Sequence, residues 1–395
     1  MRMAGKRQSV YVVSDNIISS LGFSTAENYL NLKNDHIGIR VQNQPLLYPA
    51  PVPVSKVDDN ELEKRAEDLV KHYGKNRPVE SYTRLEKLFL LSIHDALQGT
   101  PINLKSKRLL LVISTTKGNI DLLEDRYKAT FSHKRLYLWE LSRIIADFFG
   151  FINTPLIISN ACISGVMAVT MAKRLIQAGS FDQAIVSGGD IATEFVISGF
   201  QSFQALSPDP CKPFDLNRTG LSLGEGCGTM ILSCEPDSTR PRVIVAGGST
   251  TNDANHISGP SRTGEELSTA INNALHEAAL SPGSIDYISA HGTATPFNDE
   301  MESKAIFLSN LGNAPVNSFK GYWGHTLGAA GIIESVAAIQ SMRENFLIRS
   351  AGFETLGVPV QVNLISEHRS SPLQACLKTA SGFGGCNAAI VYQKL

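Results

Sequence analysis

The stretch that decides the fold runs over residues 155–178 and reads PLIISNACISGVMAVTMAKRLIQA. The apolar run at its start predicts a buried strand, and the periodic segment after Gly165 predicts a helix. Cys162 lies at the junction among small residues. A cysteine beside a helix N-terminus meets free N–H groups and the positive end of the helix dipole, so we expect a lowered pKa. An inert buried cysteine is the alternative interpretation.

Short β-rich runs alternate with amphipathic segments along the rest of the chain, which predicts an α/β protein. Strands are predicted at residues 9–14, 108–114, 155–159, 183–189, 228–233, 242–250, 286–292, 314–320 and 388–394. Helices are predicted at residues 80–98, 166–178, 264–280, 298–311 and 328–344.

The order of strand, turn, small residues and helix occurs twice. It returns at residues 315–331, which read PVNSFKGYWGHTLGAAG. The polar, proline-containing segment 234–242 has no periodicity and is predicted to separate the two occurrences. We therefore predict two similar α/β halves packed into one unit, residues 1–235 and residues 236–395. A chance similarity of α/β patterning is the alternative.

Composition excludes several function classes. The chain has 395 residues, with 36 basic against 37 acidic residues, so no charge excess points to nucleic acid. The six cysteines are scattered without metal-ligand spacing, so we expect no metal and no disulfide framework. No apolar run approaches the length of a membrane span or of a signal peptide. We expect a cytoplasmic protein that does not bind membranes and needs no cofactor.

Three further stretches contain residues suited to chemistry, each with a purely structural alternative. His291 follows a predicted strand in ISAHGTATPFNDEMES, at the strand end where α/β proteins place ligands. Lys320 is predicted to end a strand, with His325 in the glycine-rich turn that follows. The loop ASGFGGCN places Phe383 among small residues just before the last strand. A structural histidine, a packing turn and a strand-leading turn are the respective alternatives.

Together these stretches resemble one family. NACISG, AHGTATPFND, KGYWGHTLGAAG and GFGGCN stand in the order and approximate spacing of the β-ketoacyl-acyl carrier protein synthases. These are the elongating condensing enzymes of fatty acid and type II polyketide synthesis. Residues 211–228 and the turn at residues 251–260 are also similar to segments of that family. The resemblance implies the thiolase fold, with two α/β halves in five α/β/α/β/α layers, and normally a homodimer.

The resemblance also implies roles for individual residues. Cys162 would be the nucleophile that holds an acyl chain, with malonyl- and acyl-acyl carrier protein as partners. The remaining assignments are His291 and His325 as the paired histidines, Lys320 with Glu334 as their support, Phe383 with the Cys162 N–H as the oxyanion hole, Phe383 and Phe200 as gates, and Gly384 and Gly385 as the loop glycines. We expect the helix end, and not the imidazole of His325, to stabilise the thiolate.

Departures from the family's pattern leave the substrate open. Lys117 stands near a position that usually lines the acyl pocket with a small or apolar side chain. Other departures are the degraded N-terminal segment VVSDNIISSLG, Thr219, Trp323 and Cys386. The main alternative function is a non-catalytic or weakly active chain-length partner of a heterodimer, which the presence of Cys162 disfavours. A thiolase, an acyl-CoA-dependent synthase and a cysteine hydrolase fit the set of residues less well.

Overall fold

The computed structural model describes residues 8–42, 51–74, 77–127, 130–237, 241–254 and 259–395. Within them the α/β prediction is confirmed. The strands are β1 Tyr11–Ile18, β2 Ile39–Gln42, β3 Val52–Ser55, β4 Leu109–Ser114, β5 Leu156–Ile158, β6 Gln183–Asp190, β7 Leu223–Gly224, β8 Gly226–Ser233, β9 Val243–Asn252, β10 Tyr287–Ser289, β11 Pro315–Asn317, β12 Phe346–Leu347, β13 Asn363–Leu364, β14 Arg369–Ser370, β15 Ala375–Gly382 and β16 Cys386–Lys394.

The α-helices separate the strands in the manner of an α/β protein. They are α1 Thr25–Lys33, α2 Asp59–His72, α3 Arg84–Leu97, α4 Leu138–Phe149, α5 Ser164–Gln177, α6 Glu194–Ser202, α7 Glu265–Ala278, α8 Pro296–Leu308, α9 Lys320–Trp323 and α10 Ala330–Glu344. Among the described residues, no helix combines the length and apolar character needed to cross a bilayer.

Eleven strands form one long sheet, in the order β13-β11-β10-β15-β16-β9-β1-β8-β6-β4-β5. Strands β1 and β9 pair only at Tyr11 and Ile244, so the sheet consists of two half-sheets joined at one point. Helix α3 covers strands β1, β6 and β8 of one half-sheet, and α7 covers β9 and β16 of the other. Helices α5 and α10 contact each other and strands of both half-sheets. The result is the expected five-layer α/β/α/β/α arrangement.

The two central helices cross where each has a glycine. A Cβ atom added to Gly165 would lie 2.9 Å from the backbone nitrogen of Ile332. One added to Gly331 would lie 2.5 Å from the backbone nitrogen of Val166. Contacts this short are not tolerated, so only glycine allows the helices to approach so closely. The crossing brings the segment before α5 next to the segment before α10, and these segments contain Cys162 and His325.

Two predicted strands end earlier than expected. Strand β11 ends at Asn317, so Lys320 does not end a strand but begins the short helix α9. The cause is the hydroxyl of Ser318, which accepts the Lys320 N–H at 3.2 Å and starts a turn. Strand β10 ends at Ser289. His291 lies in the following loop because its N–H donates to the side chains of Glu302 at 2.8 Å and Thr379 at 3.2 Å instead of to a backbone carbonyl of a neighbouring strand.

Some predictions concern residues that the structure does not describe in full. The turn at residues 251–260 includes 255–258, which lie outside the described residues, as do 238–240 in the segment 234–242. The division into residues 1–235 and 236–395 stays a prediction. It falls in the connection between β8 and β9.

Candidate active site

Cys162 lies in a tight turn between β5 and α5, and only 7% of its surface is exposed. The hydroxyl of Ser164 donates to the Ala161 carbonyl at 2.7 Å and accepts the Asn160 N–H at 2.8 Å, which closes the turn. Ala161 has a φ of +43°. This left-handed backbone conformation is energetically unfavourable for a residue other than glycine. This strained turn holds the sulfur in the narrow space between the two halves.

His325 contacts the sulfur directly. Its Nε2 lies 3.0 Å from the Sγ of Cys162, and its Nδ1 accepts the backbone N–H of Leu327 at 3.3 Å. Leu327 has a φ of +53°, a strained conformation that aims this N–H at the ring. Because Nδ1 is an acceptor, the proton of the neutral imidazole lies on Nε2 and points at the sulfur.

The imidazole of His291 lies beside that of His325. The two rings meet edge to face, with centroids 5.2 Å apart. Lys320 directs its Nζ at the Nδ1 of His291 at 3.4 Å, at the His291 carbonyl at 2.5 Å and at Oε1 of Glu334 at 2.7 Å. An ammonium group has only donors, so Nδ1 of His291 is an acceptor and its proton also lies on Nε2.

Both imidazoles are neutral at physiological pH. Burial lowers the pKa of His291 and of His325 well below the ordinary value of 6.5, and the positive charge of Lys320 lowers both further. Two neutral rings therefore present N–H groups toward the sulfur side of the site. This arrangement suits the stabilisation of a developing negative charge on an oxygen.

The thiol of Cys162 is protonated in the resting protein. Burial, together with the neighbouring Cys386, raises its pKa to about 12, against the opposing charges of Lys320 and Lys117. The prediction of a lowered pKa is therefore wrong, because removing water from the sulfur outweighs a helix end that begins only at Ser164. The thiolate must form as the reaction proceeds.

An aromatic cluster lies beside the loop that joins β15 to β16. The ring of Phe383, which is 37% exposed, lies with its centroid 5.6 Å from the buried Phe200 and 5.2 Å from Phe203. Gly384 and Gly385 follow with φ of +86° and +74°, which only glycine adopts without strain. A Cβ atom on Gly382 would lie 3.0 Å from the Cys162 nitrogen, so the loop approaches the nucleophile closely.

The structure brings together all the predicted catalytic residues and adds some that the sequence did not indicate. Lys117 is half-buried, and its charge influences both Cys162 and His325. The added residues are Phe203, Glu302 and Lys378. The sequence signal for Phe203 is its position three residues after Phe200 in a helical segment. The signal for Lys378 is a lysine inside the apolar run ACLKTASG.

Cys162, His291 and His325 also form a group whose side-chain N and S atoms lie within 4.8 Å of one another. A histidine that binds a metal through Nε2 normally donates from Nδ1 to a second group. Here Nδ1 of each ring faces a donor, from Leu327 or from Lys320. The rings thus offer N–H groups and no lone pair to the shared space, which does not fit a metal site.

The chain matches two protein-family models in succession. The model "Beta-ketoacyl synthase, N-terminal domain" matches residues 52–238, and "Beta-ketoacyl synthase, C-terminal domain" matches residues 242–354. A "Putative polyketide beta-ketoacyl synthase 1" of Streptomyces virginiae is 32% identical over 69% of this chain and 68% of its own length. A "3-oxoacyl-[acyl-carrier-protein] synthase 2" of Staphylococcus aureus is 33% identical over 59% of this chain and 60% of its own length.

Solved structures agree over nearly the full length. A chain from the complex of a ketosynthase with its chain length factor from Xenorhabdus doucetiae superimposes with a TM-score of 0.82 at 25% identity, covering 100% of both chains. A complex of a type II polyketide acyl-carrier protein with its ketosynthase gives a TM-score of 0.83 at 23% identity, covering 99% of this chain and 100% of the other. With the paired histidines beside a buried cysteine, these matches show that the chain has the thiolase fold and belongs to the β-ketoacyl synthase family of acyltransferases.

Proposed function

We propose that this chain is a β-ketoacyl-acyl carrier protein synthase that joins malonyl-carrier protein to an acyl chain held on Cys162. One observation supports this most strongly. The Cys162 sulfur lies 3.0 Å from the Nε2 of His325, and a second neutral imidazole stands 5.2 Å from the first, centroid to centroid. A cysteine hydrolase needs one histidine as a base, whereas decarboxylative condensation uses two N–H donors aimed at one oxygen.

Acyl transfer is the first half of the reaction. The sulfur of Cys162 attacks the carrier thioester, and the bond between the acyl carbon and the carrier sulfur breaks. The departing carrier thiolate takes up the proton that the Cys162 thiol loses. The negative oxygen of the intermediate is proposed to accept the backbone N–H groups of Cys162 and Phe383. Storing the acyl group on a sulfur divides one difficult step into two easier ones.

Condensation is the second half. The malonyl carboxylate leaves as CO₂, and its bonding electrons form an enolate whose oxygen accepts the Nε2–H groups of His291 and His325. The enolate carbon then attacks the acyl carbonyl, the bond to Cys162 breaks, and the released Cys162 thiolate takes up a proton from water. Each N–H donor of this kind typically contributes about 3 kcal/mol to the stability of the transition state.

The aromatic cluster is proposed to act as a gate. Phe383 is partly exposed and packs on the buried Phe200, so a rotation of either ring would open a path past the loop toward Cys162. Gly384 and Gly385, both with positive φ, give the loop the backbone freedom that such a motion needs. Because the loop closes after the acyl group has entered, water would be kept from the thioester.

Carrier protein and a second subunit are the proposed partners. Similar structures include a ketosynthase with an acyl-carrier protein and a ketosynthase with a chain length factor. We propose a homodimer, because a chain that keeps Cys162 and both histidines has no chemical need of a catalytic partner. A heterodimer with a chain-length subunit is the second candidate. A catalytic thiol must stay reduced, and all six cysteines are free thiols, which favours the cytoplasm.

The purified chain alone is expected to release CO₂ from malonyl-carrier protein and to form an acyl-enzyme and a β-ketoacyl product. Radiolabelled CO₂ and mass spectrometry of the intact protein measure these events separately. Activity that appears only after a second ketosynthase-like subunit is added would identify a heterodimer. If the chain shows neither half-reaction in either setting, the proposed function is wrong.

The acyl chain is proposed to have a polar end that Lys117 contacts. The loop that holds this lysine is fixed after β4 by the buried Asp190, which accepts the Thr116 N–H at 2.9 Å. A half-buried ammonium group is costly beside the apolar carbon of an acyl chain unless it is paired or solvated. A hydroxyl, carbonyl or carboxylate at the end of the acyl chain would pair with it.

Replacing Lys117 with isoleucine is expected to shift preference toward plain saturated chains, because the cost of placing apolar carbon beside a cation disappears. Competition between saturated and ω-hydroxylated acyl-carrier proteins, read by mass spectrometry of the Cys162 adduct, measures the shift. The exposed Lys107 replaced with alanine serves as the control. An unchanged adduct profile in Lys117→Ile would refute the role of this lysine.

A further inference from the structure

A second lysine lies beneath the histidine pair. Lys378 of β15 is fully buried, and its Nζ lies 2.6 Å from Oε2 of Glu334, on the side of that carboxylate away from Lys320. This contact is a fully buried ion pair. The same Nζ donates to the carbonyls of Ser289 and Ala290 at 3.2 and 3.1 Å.

The acceptors around Lys378 require an ammonium group. A carboxylate and two carbonyls surround it, and all three can only accept hydrogen bonds. Lys320 likewise faces Glu334, a carbonyl and an imidazole nitrogen. Two ammonium groups thus share the carboxylate of Glu334. The other buried carboxylate nearby, that of Glu302, accepts the N–H groups of His291 and Gly292 and the hydroxyl of Thr379.

We propose that Lys378 is a positioning residue of the catalytic site, which fixes the segment leading to His291 and adds a positive charge that helps to keep both imidazoles neutral. The inference rests on the proposed function. Ser289 and Ala290 directly precede His291, so the hydrogen bonds from Lys378 to their carbonyls fix the backbone position from which the His291 side chain extends. Thr379, the next residue of β15, accepts the His291 N–H at 3.2 Å and so also fixes the backbone of His291.

The charge argument depends on all groups that face the two rings. They are Lys320 of α9, Lys378 of β15, Glu334 of α10, Glu302 and Asp299 of α8, Asp190 of β6, Lys117 of the loop after β4, and the thiols of Cys162 and Cys211. After burial, Lys320 and Lys378 both lower the pKa of each imidazole. Without Lys378 the pKa of both rings would rise, although burial and the charge of Lys320 would still hold it below the ordinary value.

A neutral ring matters for decarboxylation. A protonated ring would carry a hydrogen on Nδ1, facing the N–H of Leu327 or the ammonium group of Lys320. The ring would then leave its position. An imidazolium would also bind the malonyl carboxylate tightly and stabilise the ground state that must lose CO₂.

The test uses nuclear magnetic resonance of histidine-labelled full-length protein, with His291→Asn and His325→Asn used to assign the signals. In the wild type, neither ring is expected to titrate between about pH 5.5 and 8. In Lys378→Met, at least one ring is expected to titrate within this range, because only burial and the remaining charges then lower its pKa. The malonyl decarboxylation rate of the variant should then fall at least about twofold from pH 7 to pH 5.5, through the loss of neutral imidazole.

Lys173 supplies a matched control, because it is 1% exposed and pairs with Glu277 at 2.9 Å far along α5 from Cys162. Lys173→Met is expected to keep the wild-type titration. If Lys378→Met does not fold, Lys378→Gln removes the charge but keeps donors for the two carbonyls. A folded variant of Lys378 whose two rings stay neutral down to pH 5.5 overturns the inference. Wild-type protein that does not decarboxylate would refute the proposed function instead, whatever the titration shows.

Discussion

Replacing Cys162 with alanine is expected to abolish the β-ketoacyl product while CO₂ release from malonyl-carrier protein remains measurable. The acyl thioester can form only on this sulfur, whereas the enolate needs only the two imidazole N–H groups. Radiolabelled CO₂ and product analysis by mass spectrometry, run on the same samples, separate the two half-reactions.

The partly exposed Cys234 provides the control for this variant, since Cys234→Ala also removes a thiol but lies outside the site. It is expected to give wild-type amounts of product. β-Ketoacyl product from Cys162→Ala would show that another group holds the acyl chain. Loss of CO₂ release in the same variant would show that the sulfur takes part in decarboxylation.

Alanine at His291 or at His325 is expected to slow decarboxylation by roughly 10²–10³, the usual effect of removing one donor to a developing oxyanion. The two variants should differ in acyl transfer. The Nε2–H of His325 points at the sulfur at 3.0 Å and stabilises the emerging thiolate, so His325→Ala should also acylate slowly. His291→Ala should acylate at nearly the wild-type rate. This revises the expectation that the helix end alone stabilises the thiolate.

Stopped-flow acylation and CO₂ release, measured side by side, distinguish the two roles. The exposed His276 replaced with alanine is the control and should leave both rates unchanged. If His325→Ala decarboxylates at the wild-type rate, the paired-histidine mechanism is wrong. If both variants acylate equally fast, the Nε2–H of His325 does not stabilise the Cys162 thiolate.

The sequence predicted the strands that are continuous apolar runs bounded by turns. The strand predicted at 108–114 is β4 at Leu109–Ser114, and the one at 183–189 is β6 at Gln183–Asp190. Strand β15 was missed because ACLKTASG contains a lysine and several small residues, and only the buried partner Glu334 makes that lysine acceptable. Tertiary pairing outweighed local propensity there. Helices α1, α2, α4 and α6 were also missed.

The sequence also predicted that Cys162, the two histidines and Lys320 lie together, because the four motifs follow one another in a family order. It could not predict the ionisation of the site. The pKa of Cys162 depends on how completely the two halves exclude water from the sulfur, which is a property of their packing. The second lysine, Lys378, reaches the histidines only through the pairing of β15 with β10, which no local pattern reveals.

The crossing of Gly165 and Gly331 bears on how such a protein can evolve. Peptide atoms of the two central helices touch there, so no exchangeable side chain sets the distance between the start of α5, beside Cys162, and the start of α10, which follows His325. Mutations elsewhere in the core therefore leave that distance almost unchanged. Lys117 and the Phe200–Phe383 gate are, by contrast, ordinary side chains that selection can replace one at a time. A lineage could change its substrates repeatedly through these positions, while the reacting atoms keep the spacing on which the chemistry depends.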